Sequence, residues 1–285
     1  MSMVSRGPSR KAAPGSSTSR SGPADVPAHV RLRTVHVVLP AYNEEESLPP
    51  LLGRLADADQ RTRDQHALRA WVVDDGSSDG TAQVTRDHDS DLDVTLVEHG
   101  INRGLGEAVM SGIFAALEIA DDDDLIVVMD ADDTHDVTTI EAMETEIDRG
   151  ADIVIASRYV TGGDDATAPP FRRVLSRGAA IVFRVALPLD NIHDFTSGFR
   201  AYRAGLLRRA VRHWGQRLIE EEGFACMVEL LLKLRYGNPV IAEVPLVLRY
   251  DRKRSASKLK LGRTLLQYLK LLGRDRLTPP PRRGL

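Results

Sequence analysis

Short apolar, β-branched runs alternate with longer amphipathic ones through residues 34–275 of this 285-residue chain. That alternation restricts the fold to α/β, with a mostly parallel central sheet flanked by helices. Strands are expected at residues 35–39, 70–73, 94–97, 125–129, 153–156 and 240–244, and helices at 44–58, 104–117, 138–148, 173–186, 223–234 and 262–272. Thr138-Thr139-Ile140-Glu141 fits a capping box, with Thr138 at the N-cap and a carboxylate three residues on. With 42% hydrophobic and 28% charged residues, the chain can bury a sizeable core and is not wholly disordered.

Residues 1–33 are rich in Ser, Pro, Gly and Arg and lack the apolar centre of a signal peptide, so they are expected to be a disordered leader. The Pro-rich stretch 276–285 is expected to be a disordered tail, leaving 34–275 as one catalytic-sized domain. The net charge of -3 is unevenly spread: residues 1–33 carry +5, residues 249–285 carry +10 and residues 34–248 carry -18. A basic C-terminal segment fits contact with something anionic, such as a phosphorylated ligand, lipid headgroups or nucleic acid, and equally fits a solvated tail. The single cysteine, Cys226, excludes an intramolecular disulfide and a Cys-based zinc site, and fits a reducing, cytoplasmic setting. No run approaches the ~20 apolar residues of a membrane span, so the protein is expected to be soluble or to sit on a membrane surface.

In open α/β sheets ligands bind beyond the carboxyl ends of the strands. Three expected strands end in polar clusters: Pro40-Ala41-Tyr42-Asn43-Glu44, Asp74-Asp75-Gly76-Ser77-Ser78-Asp79-Gly80-Thr81 and Asp130-Ala131-Asp132-Asp133-Thr134-His135. Taken singly, the second is equally a turn leading into a helix cap, and Asp130-x-Asp132 is equally a solvated turn. Carboxylates two apart at a strand end also suit one hard cation shared with diphosphate oxygens. Gly104-x-Gly106 lacks the third glycine of a dinucleotide fingerprint and reads as close helix packing. His135 and His193 read as hydrogen-bonding residues rather than catalytic ones.

These motifs are joined along the chain by Asn102-Arg103-Gly104-Leu105-Gly106, Ser157-Arg158-Tyr159, Ser176-Arg177-Gly178-Ala179, residues 194–203, and Arg252 through Ser257-Lys258-Leu259. In that order they resemble the family 2 glycosyltransferases of the GT-A fold, and within them the dolichol- or polyprenol-phosphate mannose synthases, over about residues 35–272. The resemblance implies an inverting transfer of one hexose, mannose foremost, from a GDP- or UDP-sugar to a polyprenyl phosphate. It implies Mg²⁺ or Mn²⁺ as cofactor, peripheral contact with the inner face of the cell membrane, and no nucleic acid partner. For the nucleotide sugar it implies Tyr42 against base or ribose, Glu44 on ribose hydroxyls and Asp75 on a base N–H, with Pro40, Val73 and Ala131 completing the site. Asp130 and Asp132 are implied metal ligands, with Thr134 as an extra oxygen. Arg158 is implied to face diphosphate or acceptor phosphate, and Arg252 and Lys258 to lie on a loop closing over the phosphates; Asp132, Arg158 and Arg252 form the implied catalytic set. Arg173, Ser176 and Arg177 are implied to meet the acceptor phosphate at a helix start.

The sequence departs from the family pattern in places. Thr134 stands where Gln or Ser is common, Cys226-Met227-Val228-Glu229 keeps a glutamate but loses an amide, and Ser255 replaces a glycine. The Gln-x-x-Arg-Trp signature of processive synthases is absent, which favours single transfer. A rival glycosyltransferase acting on a hydroxyl of a soluble metabolite or cell-wall polymer needs a carboxylate base, for which Asp194 is the candidate. A sugar-1-phosphate nucleotidyltransferase would carry a Gly-rich basic loop after the first strand, and this chain does not. Retention of Asp75, Asp130, Asp132 and Arg158 opposes a non-catalytic nucleotide-sugar-binding membrane scaffold. Leu265, Leu266, Leu269 and Leu272, edged by Arg263, Lys270 and Arg274, form a stripe that either lies among lipid headgroups or packs on the sheet.

Overall fold

The computed structural model describes residues 32–164, 178, 192–253, 266–268, 270, 271 and 273. The expected leader therefore falls outside the described residues but for its last two, of which Arg33 opens the first strand. The expected helix at 173–186 falls outside them apart from Gly178, as does the expected tail.

The strands are β1 (Arg33–Ala41), β2 (His66–Asp74), β3 (Asp93–Glu98), β4 (Leu125–Val128), β5 (Ile153–Ser157), β6 (Arg200–Arg203) and β7 (Ile241–Pro245). The helices are α1 (Leu48–Thr62), α2 (Thr81–Arg86), α3 (Leu105–Ile119), α4 (Thr139–Asp148), α5 (Ala204–Trp214) and α6 (Ala225–Leu234). One sheet takes the order β3-β2-β1-β4-β6-β5-β7. β6 runs antiparallel to both of its neighbours, and every other pairing is parallel. The strand order reverses at β1, between β2 and β4, so the loops after β1 and β4 open side by side into a crevice.

The inner strands β1, β4 and β5 are buried on both faces, which is why they read as continuous apolar runs. Val38, Trp71, Ile126 and Ile155 face α3, α5 and α6, while Val37, Leu39, Val72 and Val127 face α1 and α4. All six expected strands are present within a few residues. β6 lies outside the expected set because Arg-Ala-Tyr-Arg carries no apolar signature, yet Arg200, Ala201 and Tyr202 are fully enclosed. α5 was also not expected, since three arginines interrupt its stripe; Leu206, Leu207 and Ala210 nevertheless bury one face.

Two expected starts are corrected. α1 begins at Leu48 rather than at residue 44, because Pro49 and Pro50 fit only the first turn of a helix, where no N–H is required of them. The residues released, Glu44 to Ser47, join Asn43 in the loop after β1. Thr138 does not cap α4: its own N–H and hydroxyl both donate to Asp136 Oδ1, at 3.1 and 2.9 Å, so Asp136 supplies the acceptor.

Candidate active site

The loops after β1 and β2 are stitched together mainly by side chains meeting backbone N–H groups. Asn43 N–H donates to Ser77 Oγ at 2.9 Å, and Ser78 N–H returns a bond to Asn43 Oδ1 at 2.8 Å. Glu44 N–H donates to Thr81 Oγ1 at 2.8 Å, and Gly80 N–H to Glu45 Oε2 at 2.6 Å. Asn43 takes a positive φ of 52°, which a short polar side chain tolerates. Gly76, at φ 70°, is pressed so closely by Ile101 and Asn102 that an added Cβ would lie 2.2 Å from the Ile101 carbonyl carbon. Only glycine fits there.

Asp75 sits at the centre of this half. Its Oδ1 accepts from Arg103 N–H at 2.8 Å and pairs with His99 Nδ1 at 2.7 Å, while its Oδ2 accepts from Gly104 N–H at 2.8 Å. Gly104 and Gly106 are where the start of α3 meets the backbone of Glu221 and Glu222, so close packing is indeed their use. Glu229 holds that backbone in turn, accepting from the N–H groups of Glu220 and Glu221 at 2.8 Å each.

The loop after β4 is organised by charge. Asp132 Oδ1 accepts from Thr134, from its N–H at 3.2 Å and its hydroxyl at 2.7 Å, and Asp132 Oδ2 is bound by the Lys253 ammonium. Asp133, at φ 63°, turns away to pair with Arg54 on α1. His135 stacks on Phe199 with centroids 4.9 Å apart, and its Nδ1 accepts from Asp130 N–H at 3.3 Å, a structural use for that ring. Burial pushes the Asp130 carboxyl above its ordinary range, His135 opposes that rise and the Asp132 charge adds to it. Burial also works to raise Asp132, but Lys253 and the Thr134 hydroxyl hold it below the carboxylate range.

Residues 249–253 lie against this loop. Arg249 N–H donates to the Thr134 carbonyl at 2.9 Å, and Arg252 has a buried Nη1 with no hydrogen-bond partner. Among the described residues no three His, Cys, Asp or Glu side chains converge as a metal cage. Two carboxylates on one loop, one of them drawing an ammonium, have the oxygen chemistry that a hard divalent cation accepts. The unpartnered Arg252 donor alongside suits phosphate oxygen.

Arg158, expected to face phosphate, directs Nε and Nη2 at Asp194, at 2.8 and 2.7 Å, and Nη2 also reaches Thr196 Oγ1 at 2.7 Å. Asp194 is fully buried and takes three further backbone N–H groups, from Arg158, Thr196 and Ser197, at 3.0–3.2 Å. Burial works to raise Asp194, yet the paired guanidinium holds its carboxyl below the usual range; the same carboxylate raises Arg158 against its burial. Glu243 on β7 buttresses the turn, accepting from Asp194 N–H at 2.8 Å and from His193 N–H at 3.0 Å. His193 Nδ1 also meets Glu243 Oε2 at 2.6 Å.

Pro40, Tyr42, Glu44, Val73, Asp75, Asp130, Ala131, Asp132, Thr134 and Arg158 stand at or just beyond the carboxyl ends of β1, β2, β4 and β5, and Arg252 lies in the segment after β7 that packs on the β4 loop. Arg173, Ser176, Arg177 and Lys258 lie outside the described residues. The sequence reading missed Lys253, His99 and Glu243. Lys253 was visible only as part of a basic run, and His99 and Glu243 are single polar residues at or within strands, with no motif spacing to mark them.

Residues 36–210 match the family model described as Glycosyl transferase family 2. The chain belongs to glycosyl transferase family 2. As a family 2 glycosyltransferase it is 35% identical over 237 residues to a dolichol-phosphate mannosyltransferase of Pyrococcus furiosus, covering 83% of this chain and 62% of that protein. The chain therefore spans less than two thirds of the length of that relative. It is 34% identical over 242 residues to a polyprenol monophosphomannose synthase of Mycolicibacterium smegmatis, covering 84% of this chain and 86% of that one. Among solved structures it is similar to glucosyl-3-phosphoglycerate synthase from Mycobacterium tuberculosis in complex with Mn²⁺, UDP and glucosyl-3-phosphoglycerate. The TM-score is 0.60 at 21% identity, over 87% of this chain and 81% of that one. The same synthase is also solved with Mg²⁺ and UDP, at a TM-score of 0.59 and 22% identity, over 87% of this chain and 80% of that one. These likenesses establish the GT-A fold expected from the sequence.

Proposed function

We propose that the protein transfers one hexose from a nucleoside-diphosphate sugar to a polyprenyl phosphate, with inversion at the anomeric carbon. The relatives named above are mannosyltransferases or mannose synthases of dolichol and polyprenol phosphates, and the similarity runs over more than four-fifths of this chain. The observation that carries the reading is the saturation of Asp194. A hydroxyl acceptor must lose its proton to a base, and Asp194, the candidate for that role, is enclosed, met by Arg158 on both oxygens and held in its low-affinity form for protons. A lipid phosphate oxygen is already anionic near neutral pH and needs no protein base.

In this reading the bond from C1 of the sugar to the departing diphosphate breaks as the acceptor oxygen forms its own bond to C1 from the opposite face. Tyr42, Glu44 and Asp75, with Pro40, Val73 and Ala131, hold the nucleotide and set that line of attack. Asp130 and Asp132 would hold Mg²⁺ or Mn²⁺, with Thr134 orienting Asp132, and the bound cation supplies charge neutralisation on the diphosphate. Arg252 offers its unpartnered donor to the leaving diphosphate. Arg158, oriented by Asp194, presents fixed positive charge toward the acceptor phosphate, where Arg173, Ser176, Arg177 and Lys258 complete the binding set. Residues 34–275 form the catalytic domain.

The acceptor lipid brings the protein to the inner face of the cell membrane by peripheral contact. No helix among the described residues is long and apolar enough to cross a membrane. Near the C-terminus Tyr268 and Leu271 are buried, whereas Leu266 of the expected apolar stripe is exposed; Leu265, Leu269 and Leu272 lie outside the described residues. Sedimentation with anionic vesicles should show binding that weakens as salt rises, each nearby basic residue contributing on the order of 1 kcal/mol. Leu266→Glu should reduce that binding, and salt-independent or absent binding would refute the contact.

The transfer itself is tested by incubating the protein with Mg²⁺ or Mn²⁺, polyprenyl phosphate and a panel of GDP- and UDP-sugars. Release of nucleoside diphosphate that depends on both metal and lipid phosphate is expected. Absence of release across the panel contradicts the reading.

A further inference from the structure

We propose that His99 is a positioning residue for nucleobase recognition, holding Asp75 as an acceptor-only carboxylate aimed at a ring N–H of the base. The inference rests on the nucleotide reading of Asp75 given above. His99 follows directly on β3, and its ring bridges two partners: Nδ1 lies 2.7 Å from Asp75 Oδ1, and Nε2 lies 2.9 Å from Ser111 Oγ on α3. A carboxylate oxygen accepts, so Nδ1 carries the hydrogen between His99 and Asp75, while Nε2 meets the Ser111 hydroxyl. Ser111 thereby fixes the plane of the ring.

The consequence for Asp75 is a count of lone pairs. Oδ1 is filled by the His99 ring and Arg103 N–H, while Oδ2 accepts only from Gly104 N–H. One acceptor position on Oδ2 is left for a ligand, on a residue that keeps only 4% of its surface exposed. Uracil and guanine each present a ring N–H on their pairing edge, whereas cytosine and adenine present a bare ring nitrogen. A carboxylate held as acceptor-only therefore selects the first pair and repels the second. The Ser111, His99, Asp75 chain matches the hydrogen-bond order of a hydrolytic triad, but Ser111 lies inside α3, whose backbone N–H groups are spent on the helix and cannot stabilise an oxyanion.

The test is calorimetric titration of the full chain with UDP, GDP, CDP and ADP in the presence of Mg²⁺, alongside steady-state kinetics. His99→Ala should weaken the tighter of UDP and GDP about 10-fold. In turnover it should raise the KM for the nucleotide sugar while leaving kcat within about 2-fold of wild type, which a merely folding defect would not do. His99→Asn puts an amide N–H where Nδ1–H sits and should restore affinity. His99→Gln extends its amide toward Ser111 and should not. If His99→Ala does not fold, the Asn and Gln variants alone decide, and equal affinities would overturn the proposal. Wild-type affinity in all His99 variants while Asp75→Asn loses binding overturns the role of His99 and leaves the nucleotide reading standing. Unchanged binding in Asp75→Asn, or no binding of UDP or GDP by wild type, overturns the nucleotide reading and the proposal with it.

Discussion

Carboxylates on the two sides of the crevice are satisfied by different partners. In the loops after β1 and β2, Asp74, Asp75, Asp79 and Glu45 are met largely by backbone N–H groups. Around the β4 loop and residues 192–253, Asp132, Asp133 and Asp194 are each met by a side-chain cation, Lys253, Arg54 and Arg158, in addition to the backbone N–H groups that Asp132 and Asp194 accept. Backbone donors are fixed by the fold and stay in place whether or not a ligand is bound. Side-chain cations can be exchanged for another positive charge, or can turn toward an incoming negative one. In the proposed function the first side recognises a constant shape, and the second receives metal and phosphate charge.

That contrast breaks most visibly at Asp132. Asp132→Ala should lower metal-dependent transfer by roughly 10³-fold or more, the scale of losing a charge-stabilising group at the reacting centre. Its melting temperature should move little, because the residue stands in a loop beyond the sheet. A variant that keeps near wild-type turnover with unchanged Mn²⁺ dependence would show that the β4 loop does not hold the cation.

At Asp194 the same charged side should respond in stability. Asp194→Asn leaves Arg158 enclosed without a counter-charge and should cost about 3 kcal/mol. Because pairing holds the folded carboxyl below its unfolded value, the stabilisation is complete above the ordinary aspartate range of about 3.9 and disappears as pH falls through the lower folded value. Denaturant melts of wild type and variant should therefore differ fully at neutral pH and converge in acid. A difference that grows toward acid would contradict the ion pair.

How much of this was legible in the sequence follows from the same chemistry. The strand ends were readable because buried parallel strands leave long apolar runs that stop at a polar cluster, as at Val73-Asp74-Asp75 and Met129-Asp130. The start of α1 and the strand β6 were not, since Pro49-Pro50 and the enclosed Arg200 act through tertiary placement rather than periodicity. Arg200 Nη1 and Nη2 donate to the carbonyls of Met227 and Phe195, at 2.6 Å each, partners 27 and 5 residues distant. Likewise the family resemblance marked Arg158 as a phosphate contact and a rival reading marked Asp194 as a base, but neither could reveal that the two face each other, 36 residues apart.

On the backbone-bonded side the expected effect is smaller. Thr81→Val preserves shape but leaves the Glu44 N–H without its acceptor, which should cost about 1–2 kcal/mol. Urea melts at low and high salt should give the same loss, whereas the pairs across the crevice should show some screening. A strongly salt-dependent loss at Thr81 would erase the distinction between the two sides.

The central claim is that the acceptor arrives with its own negative charge, so that no protein base is needed. Polyprenyl phosphate and the corresponding free polyprenol, supplied at equal concentration with the active nucleotide sugar and Mn²⁺, test it head to head. Hexose should appear on the phosphate and stay at background on the alcohol. Equal rates on the two acceptors would contradict the account and return Asp194, or another carboxylate, to the role of base.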